Sequence, residues 1–263
     1  MYTFNYHRPT SLDEAVKAFS DGASLLAGGQ TLIPVLKLRL AEHTSLVDLS
    51  AIPGLDEISL KGDTLTIGAM TTHASVAKSA DVQKALPGLA TLAGLIGDPH
   101  VRHRGTIGGS VANNDPAADY PAALLALGAT IHTTKREISA DDFFTGLFST
   151  ALQDGEIITK VSFPVPEKFA YVKLANRASR FALVGVAVAK TKDGIRVAAT
   201  GAGADGVFRV KEIEEVLSNG YSATGLDGVT LDPKGMSNDM HADAEYRAHL
   251  VITLAKRAVS ESA

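Results

Sequence analysis

The sequence predicts an α+β protein in three consecutive parts, and three observations carry that expectation. Helical and strand periodicities alternate, but not as the regular βαβ series of a doubly wound sheet. Tight turns at Lys61-Gly62-Asp63 and Lys192-Asp193-Gly194 join neighbouring apolar strands into hairpins. Pro53-Gly54 and Pro164-Val165-Pro166 interrupt the pattern, giving parts 1–54, 55–166 and 167–263.

The first part reads as strand, helix, strand. Ser11 and Glu14 form a capping-box spacing ahead of Leu12, Ala15, Val16 and Phe19, which recur on one helical face. Asp21-Gly22 ends that helix. A short strand, 23–27, runs straight into Gly28-Gly29, and a further strand is expected at 45–49. The second part opens with strands at 57–60 and 64–69 and a short helix at 72–79. Leu89, Leu92, Ala93 and Ile96 then line one face of the next helix. Residues 97–119 show almost no periodicity and are expected to form a long functional loop. A helix at 122–127 stops at Gly128, and strands follow at 129–134 and 156–163. The third part carries strands at 170–174, 183–190 and 195–200 and a helix near 210–217. Its last helix, 244–259, places Tyr246, Leu250, Leu254 and Ala258 on one stripe.

Composition narrows the function. With 45% apolar and 21% charged residues over 263 positions, the chain is an ordinary globular protein, not a disordered tail. Its 25 basic and 29 acidic side chains give a net charge of −4, which argues against general nucleic-acid binding. The absence of Cys excludes disulfides, Cys-ligated zinc, iron–sulfur clusters and thiol nucleophiles within the chain. No apolar run approaches the ~18 residues of a membrane helix. The segment Met1–Glu14 has no apolar stretch and carries Asp13 and Glu14, so a cytoplasmic location is expected.

Three glycine clusters bear on chemistry. In Leu26-Ala27-Gly28-Gly29-Gln30-Thr31 a strand ends in two glycines and a hydroxyl residue. Without Cβ atoms, such backbone N–H groups can close on an anion together. Taken alone, this motif favours a plain strand-exit turn. In Arg104-Gly105-Thr106-Ile107-Gly108-Gly109-Ser110 a second glycine pair lies between hydroxyls. Asn113, Asn114 and Asp115 follow it and can hydrogen-bond a ribitol or ribose, although a turn-rich surface loop is the plainer reading. Together the two pairs favour a diphosphate cradle more than either does alone. The third cluster, Gly201-Ala202-Gly203-Ala204-Asp205-Gly206, matches G-x-G-x-x-G literally, with Asp232 beyond a possible strand at 229–231. The strand before it belongs to the hairpin at Asp193-Gly194, so a nicotinamide site there is a remote alternative. Asp98, His100 and His103 lack a metal-ligand spacing, and Arg102 and Arg104 beside them disfavour a cation. His73 reads as part of a helix N-terminus, and Ser110 lacks a nucleophile-elbow context.

These motifs resemble one family. Ala27-Gly28-Gly29-Gln30-Thr31-Leu32-Ile33-Pro34 and Thr106-Ile107-Gly108-Gly109-Ser110 resemble the two FAD-binding loops in the flavin subunit of molybdenum hydroxylases. That family includes the medium subunit of aerobic carbon monoxide dehydrogenase and the central domain of xanthine dehydrogenase. The resemblance runs from Phe4-Asn5-Tyr6 to Ala244-Glu245-Tyr246-Arg247, and is most specific over 98–119.

The resemblance implies a two-part FAD-binding domain of the vanillyl-alcohol-oxidase (PCMH) type, 1–54 and 55–166. The part 167–263 would be a C-terminal α+β domain with a small antiparallel sheet. It implies non-covalent FAD, with the backbones of 27–31 and 106–110 at the diphosphate and Leu26, Leu32, Ile33 and Asn114 among the contacts. Ile96 resembles the apolar position beside the cofactor, Asp119 a carboxylate that contacts it, and Ile158 an apolar contact near the adenine. Lys173 resembles the lysine that reaches the flavin region. Many relatives carry Asp before the Ala equivalent to Ala182, whereas this chain has Arg180-Phe181-Ala182.

The implied partners are a small 2Fe–2S subunit and a large molybdopterin subunit in a dimer of heterotrimers. Electrons would pass from the 2Fe–2S subunit through the flavin to a quinone or similar acceptor. In a xanthine dehydrogenase-like alternative the acceptor is NAD. Association with a membrane would come only through the acceptor.

Overall fold

The computed structural model describes residues 1–262, which form three sheet-based units around two large apolar cores and one small one. The first unit is a parallel three-stranded sheet. It contains β1 (Asn5–His7), α1 (Leu12–Ala18), β2 (Ala23–Leu26), α2 (Leu32–Lys37) and β3 (Ser45–Asp48), with β3 in the middle. Ser11 caps the helix, its Oγ accepting from Glu14 N–H at 3.2 Å, while Glu14 Oε2 accepts from Thr10 N–H, one residue before the cap, at 2.8 Å. Ala15, Val47, Leu49 and Ile52 make the small core, which Leu55 and Ile157 from the second unit complete.

The second unit is a five-stranded antiparallel sheet with helices on it. In chain order it holds β4 (Ile58–Lys61), β5 (Thr64–Gly68), α3 (His73–Lys78), α4 (Ala80–Ala85), α5 (Pro87–Gly94), α6 (Pro99–Arg102), α7 (Ile107–Asn113) and α8 (Tyr120–Leu127). Then come β6 (Thr130–Thr133), β7 (Glu137–Ser139), α9 (Ala140–Phe143), β8 (Phe144–Gly146), β9 (Ser149–Thr150) and β10 (Ile158–Pro164). The sheet order is β4-β5-β10-β6-β7, and β8-β9 is a separate hairpin. The expected loop over 97–119 is instead two short helices, capped by the side chains of Asp98 and Thr106. Each has fewer than two full turns, too short to print a 3.6-residue period on the sequence.

The third unit is an antiparallel meander of β11 (Lys168–Ala175), β12 (Ala182–Thr191), β13 (Gly194–Gly203) and β14 (Gly206–Arg209), followed by α10 (Lys211–Ser218) and α11 (Ala244–Glu261). Its central strand β12 alternates by residue size, while β11 turns Phe169 and Tyr171 toward the second unit. Ala187, Ala189 and Ala198 face α8 in the core of the second unit. Val184, Val186, Val188 and Val197 face α10 and α11. All eight residues of α8 are buried, because its sequence YPAALLAL is apolar all round and both sheets cover it. The alanine face lets the meander approach that helix closely.

The Gly201–Gly206 cluster lies within the β13–β14 hairpin, with Gly203 paired to Gly206. Residues 229–231 are not a strand, so no dinucleotide fold surrounds the cluster. Gly201 is glycine for packing: a Cβ there would stand 2.5 Å from the Ala182 carbonyl oxygen. Tyr246 is 45% exposed and leaves the stripe on α11, whose buried side runs through Leu250, Leu254 and Ala258. Among the described residues no helix is long and apolar enough to cross a membrane.

Buried Arg247 ties the third unit together. Its Nη1 donates to the carbonyls of Leu183 and Gly201, both at 2.6 Å, and its Nη2 to Asp239 Oδ2 at 2.8 Å. Arg247→Met keeps the stem but strands two carbonyls. It is expected to cost about 2–3 kcal/mol, read as a lower urea midpoint.

Candidate cofactor cleft

The two diglycine loops meet. A Cβ on Gly28 would stand 2.1 Å from the Arg104 carbonyl oxygen and 2.7 Å from Gly105 Cα, and one on Gly109 would stand 3.4 Å from Ala27 Cβ. The backbone of the first unit therefore lies directly on that of the second, and only glycine permits the contact. Along this seam runs a cleft of about 720 Å³, within the size range of small-molecule sites.

The two loops contribute differently. Among the described residues, the N–H groups of Gly28, Gly29, Gln30 and Thr31 have no hydrogen-bond partner in the protein. Gly29 is in the left-handed region at φ 70°, a conformation in which consecutive N–H groups can converge on an anion. The second loop has already committed its donors from Ile107 to Ser110. Ile107 N–H donates to Thr71 O, Gly108 N–H to Ala69 O, Gly109 N–H to Thr106 Oγ1 and Ser110 N–H to Thr106 O. Gly108 must be glycine in any case, because a Cβ would lie 2.6 Å from Ala69 Cβ. The two loops, both expected at the diphosphate, thus differ in how many free backbone donors they present. The second loop offers the Ser110 hydroxyl and a close-packed floor.

Of the residues singled out from sequence, Ala27, Gly28, Gly29, Gln30, Thr31 and Leu32 line the cleft from one side. Ile96, Thr106, Gly108, Gly109, Ser110, Asp119 and Ile158 line it from the others. Five stand behind the wall. Leu26 and Ile33 pack around Gly29, and Ile107 is wholly buried in the second core. Asn114, left-handed at φ 43°, donates through Nδ2 to the carbonyls of Gly146 and Ser149 at 2.9 and 2.8 Å. It clamps the β8–β9 hairpin. Lys173 Nζ lies 2.9 Å from Asp119 Oδ1, with a side chain only 3% exposed. Tyr171 OH donates to the same oxygen at 2.5 Å. Burial pushes the Asp119 carboxyl up, against the pull of Lys173 and Tyr171.

Several lining residues carry no sequence signal. Residues 150–157 form one wall, supported by the Asn114 clamp and by Glu156. Burial alone would raise the Glu156 carboxyl, but Arg136, Gln153 N–H and Thr133 together hold it down at about 2. Arg102 donates to the carbonyls of Ile96 and Gly97 at 3.0 and 2.9 Å and so shapes another edge. Ser179, Arg180 and Phe181 close the cleft from the third unit.

His73 is the first residue of α3, with Thr72 as its cap, and its ring lies 5.4 Å from that of Tyr120. It backs the seam: a Cβ on Gly105 would meet His73 Nε2 at 2.6 Å. Burial, with Arg102 nearby, pushes its imidazole from 6.5 down to about 4.

A family model described as the FAD binding domain in molybdopterin dehydrogenase matches residues 2–166. This chain belongs to that family. It is 35% identical to the nicotine 6-hydroxylase medium subunit of Paenarthrobacter nicotinovorans, over 98% of this chain and 96% of that one. It is 34% identical to the carbon monoxide dehydrogenase medium chain of Hydrogenophaga pseudoflava, with the same shares covered. A solved structure of reconstituted CO dehydrogenase from Oligotropha carboxidovorans superposes with a TM-score of 0.90 at 33% identity, covering 99% of this chain and 98% of that one. The family's cofactor fits the site, because the free N–H run and the glycine seam supply what a diphosphate requires.

Two outcomes follow from the seam. Gly28→Ala should weaken FAD binding at least about tenfold in a fluorescence titration, since its Cβ must force the loops apart. Gly94→Ala, in an open helical position, should not. His73 has a folded pKa below its unfolded value, so the unfolded chain takes up the proton first. The stability from keeping it neutral is present above pH 6.5 and is lost as pH falls toward 4. Denaturant unfolding at pH 7 and 4.5 should show wild type losing about 2–3 kcal/mol more than His73→Gln.

Proposed function

We propose that this chain is the FAD-binding electron-transfer subunit of a molybdenum hydroxylase complex. The observation that carries the reading is the glycine seam with its four partnerless N–H groups, in a chain of this family. Bound FAD would supply the two-electron redox chemistry, and the protein its seating. The N–H groups of Gly28–Thr31 hold the diphosphate without a covalent link. The Ser110 hydroxyl donates from the facing loop. Ile158 and the 150–157 wall take the adenine end. Ile96 takes the other end, where the Asp119–Lys173 pair fixes the wall from behind.

The parallel and antiparallel units on either side of the seam support reading 1–54 and 55–166 as the halves of a vanillyl-alcohol-oxidase-type domain. The meander and its helices support 167–263 as the C-terminal domain. With no Cys, the chain holds no Cys-ligated iron–sulfur cluster of its own. Relatives named as medium chains support a place beside a small 2Fe–2S subunit and a large molybdopterin subunit, in a dimer of heterotrimers. Substrate oxidation then belongs to the molybdopterin subunit, and the flavin passes electrons to a quinone or similar acceptor.

The purified chain should be yellow and release intact FAD on acid treatment, in a ratio near one per chain by absorbance. A colourless preparation that takes up no FAD at micromolar concentration overturns the reading.

A further inference from the structure

The turn between β11 and β12 is built with unusual care for an exposed loop. Asn176 N–H donates to Phe181 O at 2.8 Å, and Arg180 N–H to Asn176 O at 2.9 Å. Asn176 Oδ1 accepts from the N–H groups of Ala178 and Ser179 at 2.9 and 3.2 Å. Arg180 itself is held in the left-handed region at φ 64°, which side-chain-bearing residues seldom adopt. Its carbonyl accepts from Lys173 Nζ at 3.0 Å, and Lys173 is anchored on buried Asp119. A buried ion pair thus pins the backbone of one exposed arginine in a costly conformation at the cleft.

The charge of that arginine is unspent. Among the described residues lining the cleft, Arg180 is the only Lys or Arg, and its guanidinium makes no hydrogen bond or ion pair. Four carboxylates share the lining, of which Asp119 and Glu156 are paired to Lys173 and Arg136. Asp98 lies close enough to feel Arg180. Its carboxyl is held low first by Val101 N–H, which it caps at 2.9 Å, and also by His100 and Arg180. Beside Arg180, Phe181 is 49% exposed and offers a flat apolar face. A cation next to an aromatic ring, in a protein of net charge −4, suits a planar molecule with an anionic substituent.

We infer that Arg180 docks an anionic group, phosphate, carboxylate or sulfonate, on the molecule that takes electrons from this cleft. The inference rests on the flavin reading above and names the class of acceptor: planar and negatively charged.

The test uses the FAD-loaded complex and Arg180→Gln. Reoxidation of the dithionite-reduced cofactor is followed with 1,4-naphthoquinone and with its 2-sulfonate. Each quinone takes two electrons and two protons to become the quinol, while the dihydroflavin is oxidised to flavin. The variant should slow reoxidation by the sulfonate about tenfold, or ~1.4 kcal/mol, and by the neutral quinone less than about twofold. Raising the salt should slow the sulfonate in wild type and leave the variant unchanged. Calorimetric binding of redox-inert naphthalene-2-sulfonate should weaken in parallel. Competition by ADP-ribose in wild type would assign the anion to a nucleotide diphosphate, and its failure to compete would assign it to an acidic quinone. Equal effects on both quinones overturn the inference, and so does a raised FAD dissociation constant, which would give Arg180 to the cofactor's own phosphates. A complex that holds no FAD overturns the flavin reading instead.

Discussion

The cofactor cleft depends on a backbone-to-backbone contact. Gly28 at the exit of β2 rests on the carbonyl of Arg104 and the Cα of Gly105, with no side chain between them. This closeness brings a parallel unit and an antiparallel unit to one edge. It also explains why the free donors are concentrated in residues 28–31. The facing loop uses its own N–H groups to stay in place, through Thr71, Ala69 and Thr106. One loop is a floor and the other a donor array. Behind the floor, Gly105 leans on His73 and His73 on Tyr120, so the seam is braced from the core of the second unit.

The third unit is attached through Phe169 and Tyr171 of β11 and through small residues of β12 and β13. Ala187, Ala189 and Ala198 meet a helix, α8, that is apolar on every side. Large residues there would hold the meander away and open the cleft at the Ser179–Phe181 end. Polar bridges then set the details. The Thr200 hydroxyl lies within hydrogen-bond reach of the carbonyls of Pro116 and Ala118, at 3.0 and 2.7 Å, sharing its one proton between them, and the Asp119–Lys173 pair crosses the same interface. Such buried polar contacts add specificity of position more than net stability.

Much of the fold was legible. The hairpins at Gly62-Asp63 and Asp193-Gly194 form where their turn residues stand, and the Ser11 cap starts α1. Short elements escaped: α4, α6, α7, β7 and the β8–β9 hairpin are too brief to show a period. The site was legible where backbone chemistry demanded glycine. The partners of Asn114 and Lys173, the β8–β9 carbonyls and Asp119, lie far away in the chain and left no local pattern. Nor was the site legible at 150–157, a wall without any motif of its own.

The sequence by itself determined that this chain has two diglycine bends, no thiol chemistry, and hairpins and a capped helix where their turn and cap residues stand. Those are properties of residue type and local spacing. The tertiary structure alone decided which bend keeps its N–H groups free, which carboxylate meets Lys173 and which arginine is left facing the cleft. Each of these depends on what a distant segment offers as a hydrogen-bond partner, and no local pattern records that.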